Sequence, residues 1–261
     1  KKPKGEAGAL LLYRPQDGPV FFAHRGACAH APENTLASFR LAVEHGAPAV
    51  ELDAKLSADG QVVVIHDPTI NRTTDGKGFV NHLPLAALRE LDAGSFFAPR
   101  FRGERIPTLE EVFETVGRNI LVNVELTNYT SPLDALTIKV AELIKRLNNA
   151  DQVIFSSFQP LNLVRIRQML PQVPVAILFS QGAARRKTTA WLGRRVAPEI
   201  VHPYLTDATA DFIQHQHTLN RRVHVWTVND PQEMCRLFAA GVDGIFTDDP
   251  LLARQTLENM A

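Results

Sequence analysis

The fold is decided by residues 49–67, which read AVELDAKLSADGQVVVIHD. Two apolar runs lie on either side of an Ala-Asp-Gly turn sequence, and only eight residues separate Asp53 from the start of the second run. A parallel crossover needs about a dozen residues or more, so the second run, 62–66, is expected to return antiparallel to the first. This return places His66 at about the level of Glu51 and Asp53.

Apolar runs alternate with amphipathic segments along the rest of the chain. The pattern predicts strands at 20–24, 49–53, 119–126, 152–156, 174–179, 199–204, 222–228 and 243–247. It predicts helices at 34–45, 133–148, 160–169, 184–193, 207–217, 231–240 and 250–259. Eight strands with interleaved helices indicate an α/β fold, a parallel (β/α)8 TIM barrel. The barrel is expected to form one domain over residues 1–261, with a small excursion at 68–112 on the active-site side after the second strand.

Three acidic residues end predicted strands and indicate a metal site. Glu51 and Asp53 are two positions apart, so their side chains point to the same face of a strand. Glu125 ends the third predicted strand, and the carboxyl ends of barrel strands line the active site. Unpaired acids beside buried strands would be costly, and carboxylate oxygens suit Mg²⁺ or Ca²⁺ better than a softer metal. We therefore predict a divalent-cation site at Glu51, Asp53 and Glu125.

Two histidines end apolar runs close to these acids. His24 ends the first predicted strand and His66 ends the returning run, and imidazoles titrate near neutral pH. Two imidazoles beside a divalent cation are suited to the cleavage of a phosphodiester. Arg25 either offers its fork of donors to phosphate oxygens or forms an ordinary salt bridge. Asp67 either orients His66 or ends the hairpin. Six other histidines are interpreted as structural: His30, His45, His82, His202, His215 and His217.

The order and spacing of these motifs resemble those of the glycerophosphodiester phosphodiesterase family. The resemblance spans about residues 20–258 and rests on the segments 24–26 (HRG), 32–35 (PENT), 51–53 (ELD), 66–67 (HD), 71–76 (NRTTDG), 106–111 (IPTLEE), 124–126 (VEL), 155–158 (FSSF), 226–229 (WTVN) and 241–248 (GVDGIFTD). It implies hydrolysis of small-molecule glycerophosphodiesters to glycerol 3-phosphate and an alcohol, with Mg²⁺ or Ca²⁺ as cofactor. It also implies general acid/base roles for His24 and His66. Trp226 would form an apolar wall under the alcohol group, unless it only packs within the barrel.

One position departs from the family pattern. Many relatives carry a lysine two residues after Glu125, where this chain has Thr127. A threonine can donate one hydrogen bond but carries no charge. Residues 185–187, Arg-Arg-Lys, either supply the missing cation or begin a solvated helix.

Two other functions stay open at the level of sequence. A lysophospholipase D activity on the same scaffold would need a groove for an acyl chain, which Phe96, Phe97 and Phe101 could line. These phenylalanines could equally form a lid over the barrel mouth or a local core of the excursion. An inactive phosphoester-binding module is disfavoured, because the chain retains the acid/base and metal-binding groups.

The composition excludes some classes of partner. The 28 basic and 28 acidic side chains give no net charge, so no overall field favours nucleic acid. No stretch approaches the roughly 20 apolar residues of a transmembrane helix. The two cysteines are expected to be free thiols of a reducing compartment, which favours the cytoplasm, although the start at Lys1 leaves a removed N-terminal leader open. The sequence does not indicate the oligomeric state.

Overall fold

The computed structural model describes residues 18–182 and 196–260 of the chain. Eight parallel strands close into a barrel, because the first strand pairs with the last one on one side and with the second on the other. The strands are β1 (Val20–His24), β2 (Ala49–Leu56), β4 (Leu121–Leu126), β5 (Val153–Ser157), β6 (Val175–Leu178), β7 (Ile200–His202), β8 (Arg222–Val225) and β9 (Gly244–Thr247), with a short antiparallel β3 (Val62–Val64) beside β2. The prediction of a (β/α)8 barrel is confirmed.

Helices cover the outside of the barrel. They are α1 (Leu36–Glu44), α3 (Leu109–Val116), α4 (Leu136–Leu147), α5 (Pro160–Met169), α6 (Ala210–Thr218), α7 (Pro231–Ala239) and α8 (Pro250–Glu258), whereas the short α2 (Leu85–Leu88) lies in the excursion. Local sequence sets several of their starts: Thr35 caps α1, and Asp230 and Asp249 cap α7 and α8 just before a proline. The predicted helix at 184–193 lies outside the described residues. None of the helices in the described ranges has the length and apolar character that a membrane crossing requires.

The hairpin between β2 and β3 has the predicted antiparallel register. Ala54 pairs with Val64, and the backbone N–H of Ile65 donates to the carbonyl of Asp53. Gly60 adopts a φ of 75° in the turn, a left-handed conformation that favours glycine. One residue further on, His66 emerges between the levels of Glu51 and Asp53, as the sequence predicts.

The excursion after the hairpin has its own small core but ends earlier than the sequence-based boundary of residue 112. Its buried apolar side chains are Val63, Ile65, Ile70, Val80, Leu88, Ala93 and Ile106. Helix α3 starts at Leu109, behind a capping box in which Thr108 and Glu111 exchange hydrogen bonds. Because α3 packs against α1, it belongs to the ring of barrel helices rather than to the excursion.

An apolar layer fills the inside of the barrel and supports the site above it. Its members come from alternate positions of the strands: Val20, Phe22, Ala49, Leu121, Ile154, Ala176, Ile200 and Phe246. A larger core lies between the strands and the helices. Side chains one layer further toward the carboxyl ends of the strands therefore pack against this apolar layer.

Candidate active site

Three carboxylates, two of them buried and that of Glu125 half-buried, meet at the carboxyl ends of β2 and β4. Asp53 pairs in register with Glu125, and one oxygen each of Glu51, Asp53 and Glu125 lies within 4.8 Å of the other two. Glu51 is only 3% exposed and Asp53 only 1%. Burial, reinforced by the charge of Asp53, raises the pKa of Glu125 to about 7 and that of Glu51 well above its usual value. Hard oxygen donors that repel one another in a buried place fit a divalent cation such as Mg²⁺ or Ca²⁺.

Each of the three carboxylates is oriented by a donor from a neighbouring loop. The amide Nδ2 of Asn34 donates to Asp53 at 2.9 Å, and the backbone N–H of Arg25 donates to Glu51 at 3.0 Å. Both Asn34 and Arg25 have φ values near 55°, in the left-handed region. The phenol of Tyr129 donates to Glu125 at 2.6 Å. Sequence analysis did not identify Tyr129, because no spacing rule ties a loop tyrosine to the preceding strand.

His24 is held from behind by an aspartate at the end of β9. Its Nδ1 lies 2.6 Å from Oδ1 of Asp248, and its Nε2 lies 4.0 Å from the carboxylate of Glu51. The amide of Asn229 donates to the other oxygen of Asp248 at 2.6 Å. Burial opposes ionisation of Asp248, but hydrogen bonds from His24, Cys28 and Asn229 outweigh it and lower the pKa of Asp248 to about 2. The imidazole therefore lies beside a carboxylate that is ionised at neutral pH.

His66 has a similar support, supplied by its neighbour in sequence. Nδ1 of His66 lies 2.7 Å from Oδ1 of Asp67, so Asp67 orients the ring. Arg72 donates to Asp67 at 2.8 Å and to Glu33 at 2.7 Å. Its hydrogen bonds lower the pKa of Asp67 below the usual range. Arg25 donates to the same Glu33 at 2.9 Å, so a chain of alternating charges links Arg25 to His66.

Two cations lie next to the carboxylates. Arg25 forms the salt bridge with Glu33, and its Nε lies 3.4 Å from Asp53. Lys55, which is 8% exposed, donates through Nζ to the carbonyl and to the hydroxyl of Thr127 at 2.7 and 2.8 Å. The ammonium group of Lys55, on the neighbouring strand, thus lies at Thr127, the position where many relatives have a lysine. Residues 185–187, the other candidate for the missing cation, lie outside the described residues.

A small cavity opens above the barrel core and brings most of the predicted residues together. It is lined by His24, Arg25, Glu51, His66, Asn123, Glu125, Phe158, Leu178, His202, Trp226 and Phe246. Trp226 donates through Nε1 to the carbonyl of His202 and meets Phe158 edge-on at 5.5 Å. Within the described residues, none of the phenylalanines Phe96, Phe97 and Phe101 lines this cavity or joins the small core of the excursion.

Comparison with known proteins gives a consistent family assignment. The sequence profile of the glycerophosphoryl diester phosphodiesterase family matches residues 24–252. A glycerophosphodiester phosphodiesterase of Caldanaerobacter subterraneus subsp. tengcongensis is 38% identical over 243 residues, which cover 92% of this chain and 97% of that protein. One from Bacillus altitudinis is 33% identical over 243 residues, covering 92% and 98%. The structure of an Oleispira antarctica phosphodiesterase in complex with the product sn-glycerol 3-phosphate has a TM-score of 0.85 and 29% identity, covering 93% of this chain and 98% of that one.

Proposed function

The chain belongs to the glycerophosphoryl diester phosphodiesterase family, and from this premise we propose that it hydrolyses glycerophosphodiesters to glycerol 3-phosphate and an alcohol. One observation carries the proposal: two imidazoles, each held by an aspartate, face the same cavity as two of three clustered carboxylates. The product complex of the Oleispira antarctica phosphodiesterase supports the choice of glycerol 3-phosphate. The substrate is a small molecule, and the two free thiols support a cytoplasmic location.

The carboxylates of Glu51, Asp53 and Glu125 would hold a divalent cation, Mg²⁺ or Ca²⁺. When bound, it would neutralise charge on the phosphate and lower the pKa of a coordinated hydroxyl. Asn34 and Tyr129 fix the directions of two of these carboxylates before any ligand arrives. The charges of Arg25 and Lys55 oppose the rise in the pKa of Glu125 and so favour its ionised, ligating form.

His24 is assigned the role of general base. Its Nδ1 donates to the ionised Asp248, which leaves the lone pair of Nε2 on the side of the cavity. Nε2 can then take the proton of the attacking group, which is either the substrate hydroxyl next to the phosphorylated carbon or a water molecule. Asp248 also stabilises the imidazolium that forms, so the proton transfer is favoured without movement of the ring.

His66 is assigned the role of general acid. Asp67 accepts a hydrogen bond from Nδ1 and stabilises the protonated ring, so that Nε2 can donate to the leaving alkoxide. Arg72 keeps Asp67 ionised and in place. A positioned proton donor of this kind contributes about 10²–10⁴-fold to the rate when the leaving group is a poor one.

Arg25 and the aromatic wall would position the substrate. The guanidinium of Arg25 lies between Glu33 and Asp53 at the edge of the cavity, where its remaining donors can contact phosphate oxygens. Trp226 and Phe158 would pack against the apolar part of the alcohol. Lysophospholipase D activity is less favoured, because Phe96, Phe97 and Phe101, which could have lined an acyl groove, do not line this cavity.

A panel of substrates tests the proposal. Glycerophosphocholine, glycerophosphoethanolamine, glycerophosphoglycerol and lysophosphatidylcholine are compared with Mg²⁺ and with Ca²⁺, with glycerol 3-phosphate as the measured product of the first three. We expect turnover of the glycerol diesters and little release of choline from the lysophospholipid. Release of choline from lysophosphatidylcholine alone would replace the proposal with the lysophospholipase D activity, and no turnover of any diester would refute it.

A further inference from the structure

Two buried side chains in the wall of this cavity have polar atoms without a hydrogen-bond partner among the described residues. The imidazole of His202 is fully buried and lines the cavity, yet neither of its ring nitrogens has a partner among the residues that the structure describes. The carbonyl Oδ1 of Asn123 is also buried without a partner among these residues, while its Nδ2 donates to Ser156 at 2.8 Å. Buried polar groups almost always have partners, so two exceptions in the wall of one cavity need an explanation.

The interpretation of His202 as a structural histidine does not explain why its ring nitrogens lack partners. A structural imidazole is satisfied by protein groups, whereas the ring of His202 lies 5.3 Å from that of His224 and 4.8 Å from that of Phe246. An apolar side chain would fill this place without the free-energy cost of an unpaired polar group. Retention of a polar ring here indicates a partner that arrives from the cavity.

The chemistry of the two groups defines that partner. Burial lowers the pKa of His202 to about 3, so the ring is neutral and offers one N–H donor and one acceptor nitrogen. Asn123 offers an acceptor oxygen. A neutral donor and neutral acceptors match hydroxyl groups, which both donate and accept, and do not match a phosphate or a quaternary ammonium group.

We propose that His202 and Asn123 form a subsite for the free hydroxyl groups of the glycerol moiety. The proposal rests on the proposed function, because it takes the substrate to be a glycerophosphodiester. Glycerol is the part that all such substrates share, whereas the head-group alcohols differ in size and charge. The phosphate stays among the charged groups at the mouth, near Arg25, and the glycerol carbons extend down toward the floor of the cavity.

Binding of two matched phosphate esters tests the subsite. Calorimetric titration compares glycerol 3-phosphate with n-propyl phosphate, which has the same phosphate and carbon chain but no hydroxyl groups. The wild-type protein should bind glycerol 3-phosphate about tenfold more tightly or better, as expected for hydrogen bonds to otherwise unpaired groups. His202→Leu should remove most of this preference and leave the Kd of propyl phosphate nearly unchanged. A variant with Asn123→Leu and Ser156→Ala, which removes both members of their hydrogen bond, should also lower the preference.

Thermal unfolding separates a binding role from a structural one. Because His202→Leu removes an unpaired buried group, we expect Tm to rise by about 2 °C or more. Phe246→Leu, a change of the neighbouring apolar ring, is the control and should affect both ligands alike. Retention of the full preference in His202→Leu, or equal weakening of both ligands with a lower Tm, would overturn the subsite. Turnover of glycerophosphocholine by the wild type, measured in parallel, distinguishes this failure from a failure of the proposed function.

Discussion

Replacement of Asp248 by asparagine removes the negative charge behind His24 and leaves the shape of the side chain unchanged. In the structure the carboxylate accepts from Nδ1 of His24 at 2.6 Å and from Asn229 at 2.6 Å. An asparagine can turn its NH₂ group toward Nδ1, which would place the ring proton on Nε2 and remove the base. We therefore expect kcat for glycerophosphocholine to fall by about 10²–10⁴-fold, the usual contribution of a positioned base.

The same change should have a modest and pH-dependent effect on stability. A pKa lowered from 3.8 to about 2 corresponds to about 2 kcal/mol of native-state interaction, which we halve to about 1 kcal/mol because 31% of the side chain is exposed. Since the folded-state pKa is the lower one, this stability is present above pH 4 and is lost as the pH falls toward 2. The difference in unfolding free energy between the wild type and Asp248→Asn should therefore shrink over that window.

A neighbouring aspartate provides the matched control. Asp249 caps α8 and lies 3.0 Å from His30 rather than His24, and asparagine is an equally good cap. Steady-state kinetics should show nearly wild-type kcat for Asp249→Asn and a large loss for Asp248→Asn, with similar KM values. A kcat for Asp248→Asn within about threefold of the wild type would refute the assignment of His24 as a base oriented by this carboxylate.

Three further predictions concern the cation, the second imidazole and the nucleophile. Glu125→Gln should weaken Mg²⁺ or Ca²⁺ binding at least about tenfold without unfolding the barrel, seen as a smaller metal-dependent rise in Tm; full turnover in excess chelator would contradict the cation site. His66→Ala should reduce turnover of glycerophosphocholine by about 10²–10⁴-fold but affect a nitrophenyl ester much less, because nitrophenolate leaves without a proton; equal losses would reverse the assignment. A substrate without the hydroxyl next to the phosphorylated carbon should react far more slowly if that hydroxyl attacks first, and a comparable rate would favour attack by water.

The sequence predicts those parts of the site that follow from strand periodicity. Glu51 and Asp53 share a face because side chains alternate along a strand. The connection between Asp53 and Val62 is too short for a parallel crossover, so the second run must return antiparallel and place His66 near these acids. Helix α3 is not among the predicted helices, although the capping box of Thr108 and Glu111 that begins it also lies within a few residues of sequence. These features depend on residues close together in the chain.

Contacts that depend on barrel closure are not predictable in this way. Asp248 reaches His24 only because β9 pairs with β1, although the two residues are 224 positions apart. Arg72 connects two loops, and Tyr129 turns back from its loop onto Glu125. The unpaired ring of His202 is visible only once the burial and the partners of each polar atom are known. A motif can contain such a residue without indicating what it contacts.

The stoichiometry of products from one diester tests the central claim most directly. Wild-type protein and the double variant His24→Ala/His66→Ala, prepared in parallel, are incubated with glycerophosphocholine and Mg²⁺ or Ca²⁺, and glycerol 3-phosphate, choline, glycerol and phosphocholine are quantified. The account predicts equimolar glycerol 3-phosphate and choline from the wild type and only background from the double variant. Phosphocholine and glycerol as products, or equal rates for the two proteins, would contradict it.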